Sequence, residues 1–156
     1  MALKVGDKAV PFRLPASTGD AVALEDFRGK QNVVLLFFPF AFSPVCTEEM
    51  CGIRDDMGRY QQLNAAVLGI SVDSPFTLKA WAKAENLNFP LLSDFNKEVA
   101  PQYGAFYEQL KDFKGVAKRA AFVIDKEGIV RYAWVTDDPT VKPSFEEIQQ
   151  VLNGLS

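Results

Sequence analysis

Two long apolar runs dominate the hydrophobic pattern. Asn32 to Phe38 (NVVLLFF) is continuous and rich in β-branched and aromatic residues, as expected of a strand buried on both faces. Ala66 to Val72 (AVLGISV) reads the same way. Lys118 to Ile124 and Ile129 to Val135 form a further pair of strands, joined by the turn signal Asp125-Lys126-Glu127-Gly128. Near the start, Phe12 to Leu14 and Ala21 to Ala23 flank Ser17-Thr18-Gly19-Asp20, which predicts a β-hairpin.

Between these runs the pattern becomes helical. A loop over Pro39 to Val45 leads into a helix of about five turns ending near Asn64. Pro75 to Asn86 fits a helix with Ser74 as N-cap and Pro75 at its first position. A helix around Lys97 to Tyr103 is expected to be short or kinked, because Pro101 lies inside it. Ser144 caps a last helix running to about Leu152, with Gly154 beyond. Alternating strands and helices, with a hairpin near each end, predict an α/β fold whose central mixed sheet carries helices on both faces. A thioredoxin-like architecture accommodates this order. No repeat, low-complexity tract or linker interrupts it, so residues 1–156 read as one domain.

Composition narrows the chemistry. The balance of 17 basic against 20 acidic residues gives a net charge of −3, with no basic cluster to hold nucleic acid or anionic lipid. The run Val33 to Val45 is too short and too interrupted to span a bilayer. The first residues lack the apolar core of a signal peptide, so a cytoplasmic address is the default expectation. Histidine is absent, which excludes a histidine base within the chain for a serine or cysteine nucleophile. With only two cysteines, neither a disulfide scaffold nor an ordinary zinc site is expected. The expectation is therefore no metal and no cofactor.

What remains is Cys46. Ser43 as N-cap and Pro44 at the first helical position put Cys46 in a first turn, where free amides and the helix dipole favour an anion. The thiolate is the nucleophilic form of cysteine. Glu48 and Glu49 in the same turn oppose that effect, so a positive side chain from elsewhere in the fold is required.

Pro39, Ser43 and Cys46 match Pro-x-x-x-Thr/Ser-x-x-Cys, the pattern of the peroxiredoxin family, between an apolar strand and a helix. The pieces VGDKAVPF, LLFFPFAFSPVC, GISVDSP, FPLLSD, YGAF and KRAAFVID also resemble that family, across most of the chain. The text is most similar to single-domain bacterial members of the alkyl hydroperoxide reductase E kind. The Cys46/Cys51 spacing instead resembles peroxiredoxin Q, also called bacterioferritin comigratory protein. The resemblance implies a thiol-dependent peroxidase acting on hydrogen peroxide and organic hydroperoxides, with Cys46 oxidised to a sulfenic acid. It implies that Ser43 bonds the peroxide and the sulfur, that Pro39 shields the pocket, and that Arg119 supplies the positive charge. Glu49 would orient that arginine, although a solvated acid at a helix start is the plainer reading. Ala121 departs from the pattern, standing where many relatives carry threonine.

Cys51 lies five residues beyond Cys46. On one regular helix their Cα atoms would stand about 8–9 Å apart, beyond the roughly 7 Å a disulfide spans. A Cys46–Cys51 disulfide, reduced by a thioredoxin-like donor, therefore requires local unwinding, which Gly52 would ease. The alternatives are a one-cysteine cycle recycled by a low-molecular-weight thiol, a dithiol–disulfide oxidoreductase, and a peroxide sensor. The chain has Cys-x4-Cys rather than the Cys-x-x-Cys usual in such oxidoreductases. Monomer and homodimer stay equally open. Phe37, Phe38, Met50, Met57 and Trp81 read as core, Phe40 and Phe42 as loop aromatics at the pocket or a dimer contact, and Asp73 and Asp94 as turn residues without a catalytic role.

Overall fold

A computed structural model describes residues 3–155. Its centre is a five-stranded sheet. The two apolar runs become β3 (Asn32–Phe37) and β4 (Ala65–Ser71), paired in parallel. β5 (Leu91–Ser93) adds a parallel edge to β4, while β8 (Ala120–Ile124) and β9 (Val130–Val135) pair antiparallel on the other side of β3. The sheet is mixed, as expected. At the N-terminal end β1 (Arg13–Leu14) and β2 (Val22–Ala23) form the predicted hairpin.

Alternation along β3 divides the core into two layers. Val33, Leu35 and Phe37 face a layer holding Phe12, Leu14, Tyr103 and Phe122, over which α4 (Val99–Gln102) lies. Val34, Leu36 and Phe38 face the opposite layer with Cys46, Met50, Trp81 and Ile148. That second face carries α1 (Pro44–Asp55), α2 (Met57–Gln62), α3 (Pro75–Ala84) and α5 (Phe145–Asn153). Helices thus cover both faces, as predicted, but very unequally. Gly69 of β4 shows how tightly this layer packs: a Cβ there would lie 2.8 Å from Leu91 Cδ2 and 3.3 Å from Phe38.

Several elements differ from expectation. The five-turn helix is two helices, broken at Asp56 (φ −110°, ψ 13°). An aspartate leaves a helix readily, and here its carboxylate accepts a hydrogen bond from Gln149 of α5 at 2.6 Å. β6 (Phe106–Leu110) and β7 (Phe113–Ala117) form a hairpin that the pattern did not predict. Its two-residue turn, Lys111-Asp112, puts Lys111 at φ 54° and lacks the glycine or asparagine that advertises such turns. The helix expected over 97–103 shrinks to the four residues of α4, whose opening amides are held by Asp94: its carboxylate accepts from Glu98, Val99 and Ala100 at 2.8–3.1 Å. Ser74 and Ser144 cap α3 and α5 as predicted, accepting from the amides of Thr77 and Glu147.

Candidate active site

Beyond β3 the chain runs through Phe38 to the buried Pro39, which has no N–H to extend a ladder. The chain then turns sharply. Ala41 N–H donates to Asp73 Oδ2 at 2.8 Å, and the Ser71 hydroxyl donates to the same oxygen at 2.7 Å. Beyond it, Ser43 Oγ donates to the Phe40 carbonyl at 2.8 Å. Between these two ties Phe42 sits at φ 69°, a left-handed conformation costing a bulky residue about 1–2 kcal/mol. Its ring, 54% exposed, lies against Trp81. Phe40 stacks edge-on against Phe113, with centroids 4.9 Å apart.

Ser43 has the backbone of an N-cap (φ −74°, ψ 152°), and its carbonyl accepts from Thr47 N at 2.9 Å. The expected side-chain cap is not made, because the hydroxyl serves the loop carbonyl of Phe40 instead. The amides of Val45 and Cys46, which precede the first helical bond, are left without that partner. Cys46 is the third residue of α1 and wholly buried.

Cys46 and Glu49 are three residues apart and so share one face of α1. That face meets Arg119, which directly precedes β8, the strand beside β3 in the sheet. Arg119 Nη2 donates to Cys46 Sγ at 3.2 Å, and Nη1 donates to Glu49 Oε1 at 2.6 Å. Nε and Nη2 also donate to the Pro139 carbonyl, at 3.1 and 2.9 Å, so the guanidinium is held on all sides. Burial works against its charge, but the Cys46 sulfur and the Glu49 carboxylate outweigh burial and raise its pKa above the ordinary arginine value. The positive side chain that Cys46 requires is thus present, delivered from the start of the strand paired with β3.

Glu49 is 1% exposed, which overturns the reading of a solvated first-turn acid. Burial pushes its pKa up to about 7 against the pull of Arg119. Burial outweighs that pull, and Glu49 Oε2 has no hydrogen-bond partner. Glu48 points outward to pair with Lys142.

Cys51 faces elsewhere. Half-buried, it donates to Glu85 Oε1 at 3.5 Å, just past the end of α3. Burial first and this hydrogen bond second push its thiol pKa up, with Arg54 opposing. Both cysteines are unpaired. The structure therefore gathers Pro39, Ser43, Cys46, Glu49 and Arg119 at one end of the sheet, and leaves Cys51 on another face of α1. Asp73, which pins the loop, and the Pro139 carbonyl, which holds Arg119, were missed in the sequence. An aspartate after a buried strand was the only signal for the first, and a backbone carbonyl gives none. Among the described residues no group of three or more His, Cys, Asp or Glu side chains is arranged to hold a metal, and no helix is long and apolar enough to cross a membrane.

The AhpC/TSA family model matches residues 5–133. Alkyl hydroperoxide reductase E of Mycobacterium tuberculosis is 41% identical over 133 residues, covering 84% of each chain. Peroxiredoxin Bcp of Escherichia coli is 41% identical over 135 residues, covering 85% of each. Among solved structures, peroxidoxin BcpB from Mycobacterium tuberculosis superposes with a TM-score of 0.88 at 30% identity, covering 99% of both chains. The reduced 2-Cys peroxiredoxin of Plasmodium vivax gives 0.85 at 31% identity, over 97% of this chain and 81% of that one. Agreement of this extent in sequence, joined to a fold that presses an arginine onto a buried helix-start cysteine, settles the membership: the chain belongs to the AhpC/TSA family and is a peroxiredoxin, a thiol-dependent peroxidase.

Proposed function

We propose that Cys46 is the peroxidatic residue for hydrogen peroxide and organic hydroperoxides. Its thiolate attacks one peroxide oxygen, the O–O bond breaks, and the other oxygen leaves as water or an alcohol after taking up a proton. Cys46 becomes a sulfenic acid. The observation that carries this reading is the contact from Arg119 Nη2 to Cys46 Sγ at 3.2 Å inside the protein. A charged donor there favours the anionic sulfur and stands beside the oxygen that gains charge, where fixed donors weigh most. Ser43, one rotation from its bond to Phe40, would donate to the same peroxide. Glu49 holds the guanidinium in place, and Pro39 keeps water from the sulfur.

Cys51 then resolves the sulfenic acid as an intramolecular disulfide, and a thioredoxin-like dithiol reduces that disulfide in the cytoplasm. One equivalent of peroxide followed by mass spectrometry tests the scheme. The expected product is a Cys46–Cys51 disulfide, preceded by a sulfenic acid that accumulates in Cys51→Ser. A stable sulfenic acid in the parent would instead favour a one-cysteine cycle with an external thiol. Peroxide consumption no faster than that of free cysteine would remove Cys46 from its role.

A further inference from the structure

With Cys51 as the resolving thiol of the proposed cycle, the two sulfurs must meet. Cys46 and Cys51 engage partners on different elements, Arg119 beside β8 and Glu85 beyond α3. Resolution forms the Cys51–Cys46 S–S bond as the Cys46 S–O bond breaks, and the departing hydroxide takes the Cys51 proton to leave as water. Before that, the last two turns of α1 must come away from α3.

Several contacts hold them there. Cys51 Sγ donates to Glu85 Oε1 at 3.5 Å. Arg54 Nη1 donates to the Glu85 carbonyl at 2.6 Å, capping one of the carbonyls that the end of α3 leaves open. Asn88 Nδ2 donates back to the Arg54 carbonyl at 3.2 Å. Nearer the start of α1, Trp81 Nε1 donates to Thr47 Oγ1 at 3.3 Å. Two of these three contacts of the distal turns converge on Glu85. One is to its side chain and one to its backbone.

We propose that Glu85 is a positioning residue for resolution: with Arg54 it forms a latch that holds the Cys51 thiol on α3 and sets how often α1 opens toward Cys46. While the latch is shut, burial first and the hydrogen bond to Glu85 second keep the Cys51 thiol pKa raised. Opening the latch thus frees the thiol in position and in protonation together. Neither Glu85 nor Arg54 hydrogen-bonds Cys46, whose sulfur accepts from Arg119, so the first oxidation step is indifferent to the latch.

Stopped-flow Trp fluorescence with excess hydrogen peroxide separates the two steps. Sulfenic acid formation depends on peroxide concentration, and disulfide formation does not. Glu85→Ala and Arg54→Ala are each expected to leave the first phase within twofold of the parent and to quicken the second by roughly two- to tenfold, the weight of one hydrogen bond. Glu85→Gln, which keeps an acceptor oxygen, returns the second phase to within twofold of the parent. The faster variants also need more peroxide before Cys46 is overoxidised, because resolution competes with that reaction. If the parent forms a Cys46–Cys51 disulfide but Glu85→Ala forms it no faster, the latch is wrong and the resolving role stands. Absence of that disulfide in the parent overturns both.

Discussion

Arg119 Nη2 lies 3.2 Å from the sulfur of Cys46, although 73 residues separate the two in the chain. The contact exists because β8 pairs antiparallel with β3, Ala120 opposite Phe37. Arg119 is thereby brought to the same end of the sheet at which β3 hands over to the Cys46 loop. Substituting Arg119 by lysine keeps a charge but loses the planar fork that serves Cys46, Glu49 and Pro139 at once. The peroxide rate constant of Arg119→Lys is expected to fall by about 10²–10³-fold, as for loss of one fixed donor at a developing charge. Stopped-flow kinetics measures it, with circular dichroism to show that the variant is folded. A rate within tenfold of the parent would contradict the assignment.

Glu49 makes the stability sensitive to pH. Its folded pKa, pushed up to about 7, lies above its unfolded value of 4.5. The folded protein therefore binds more protons between those values, and the contribution is full below 4.5 and lost as pH rises through 7. Urea unfolding of the parent and of Glu49→Gln at pH 5 and pH 8 isolates the effect. Relative to the variant, the parent should lose on the order of 1–3 kcal/mol between those conditions. Parallel curves would show that Glu49 is ionised in the folded protein throughout.

Asp73 carries no expected role in the reaction, yet one of its oxygens holds both Ala41 N–H and the Ser71 hydroxyl. Asp73→Ala leaves these donors without their acceptor and lets Phe42 relax from its left-handed conformation. Stability is expected to drop by about 1–3 kcal/mol. Peroxide reduction should slow as well, since Ser43 and Cys46 follow directly. Thermal melts and first-phase kinetics read the two effects. Destabilisation with an unchanged rate would mean that the loop holds its shape without this anchor.

Gly69 tests the packing beneath the site. A methyl group there meets Leu91 Cδ2 at 2.8 Å and Phe38 at 3.3 Å, both in the closed interior. Gly69→Ala is expected to destabilise by about 1–3 kcal/mol, the usual penalty for overfilling a core. Urea unfolding measures it, and a neutral result would show that the Leu91 edge gives way freely.

Much of this protein is written locally. The runs 32–38 and 66–72 could only be interior strands, because uninterrupted β-branched and aromatic residues need cover on both faces. Ser74 and Ser144 mark helix starts through bonds that reach no further than three residues. Cys46 was legible as the candidate nucleophile from Pro44 and its first-turn position and, through the resemblance to the family pattern, from its spacing to Pro39 and Ser43. Glu49, by contrast, looked like a surface acid, since whether a carboxylate is solvated depends on what packs over it. Only pairing across the sheet put Arg119 there, and only the turn after β9 supplied the Pro139 carbonyl. The same holds for Cys51, whose partner Glu85 stands 34 residues away. Short-range stereochemistry sets strands, caps and the place of Cys46 at a helix start, while the charged groups beside the two cysteines come from distant segments that meet only when β3, β8 and α3 close on α1.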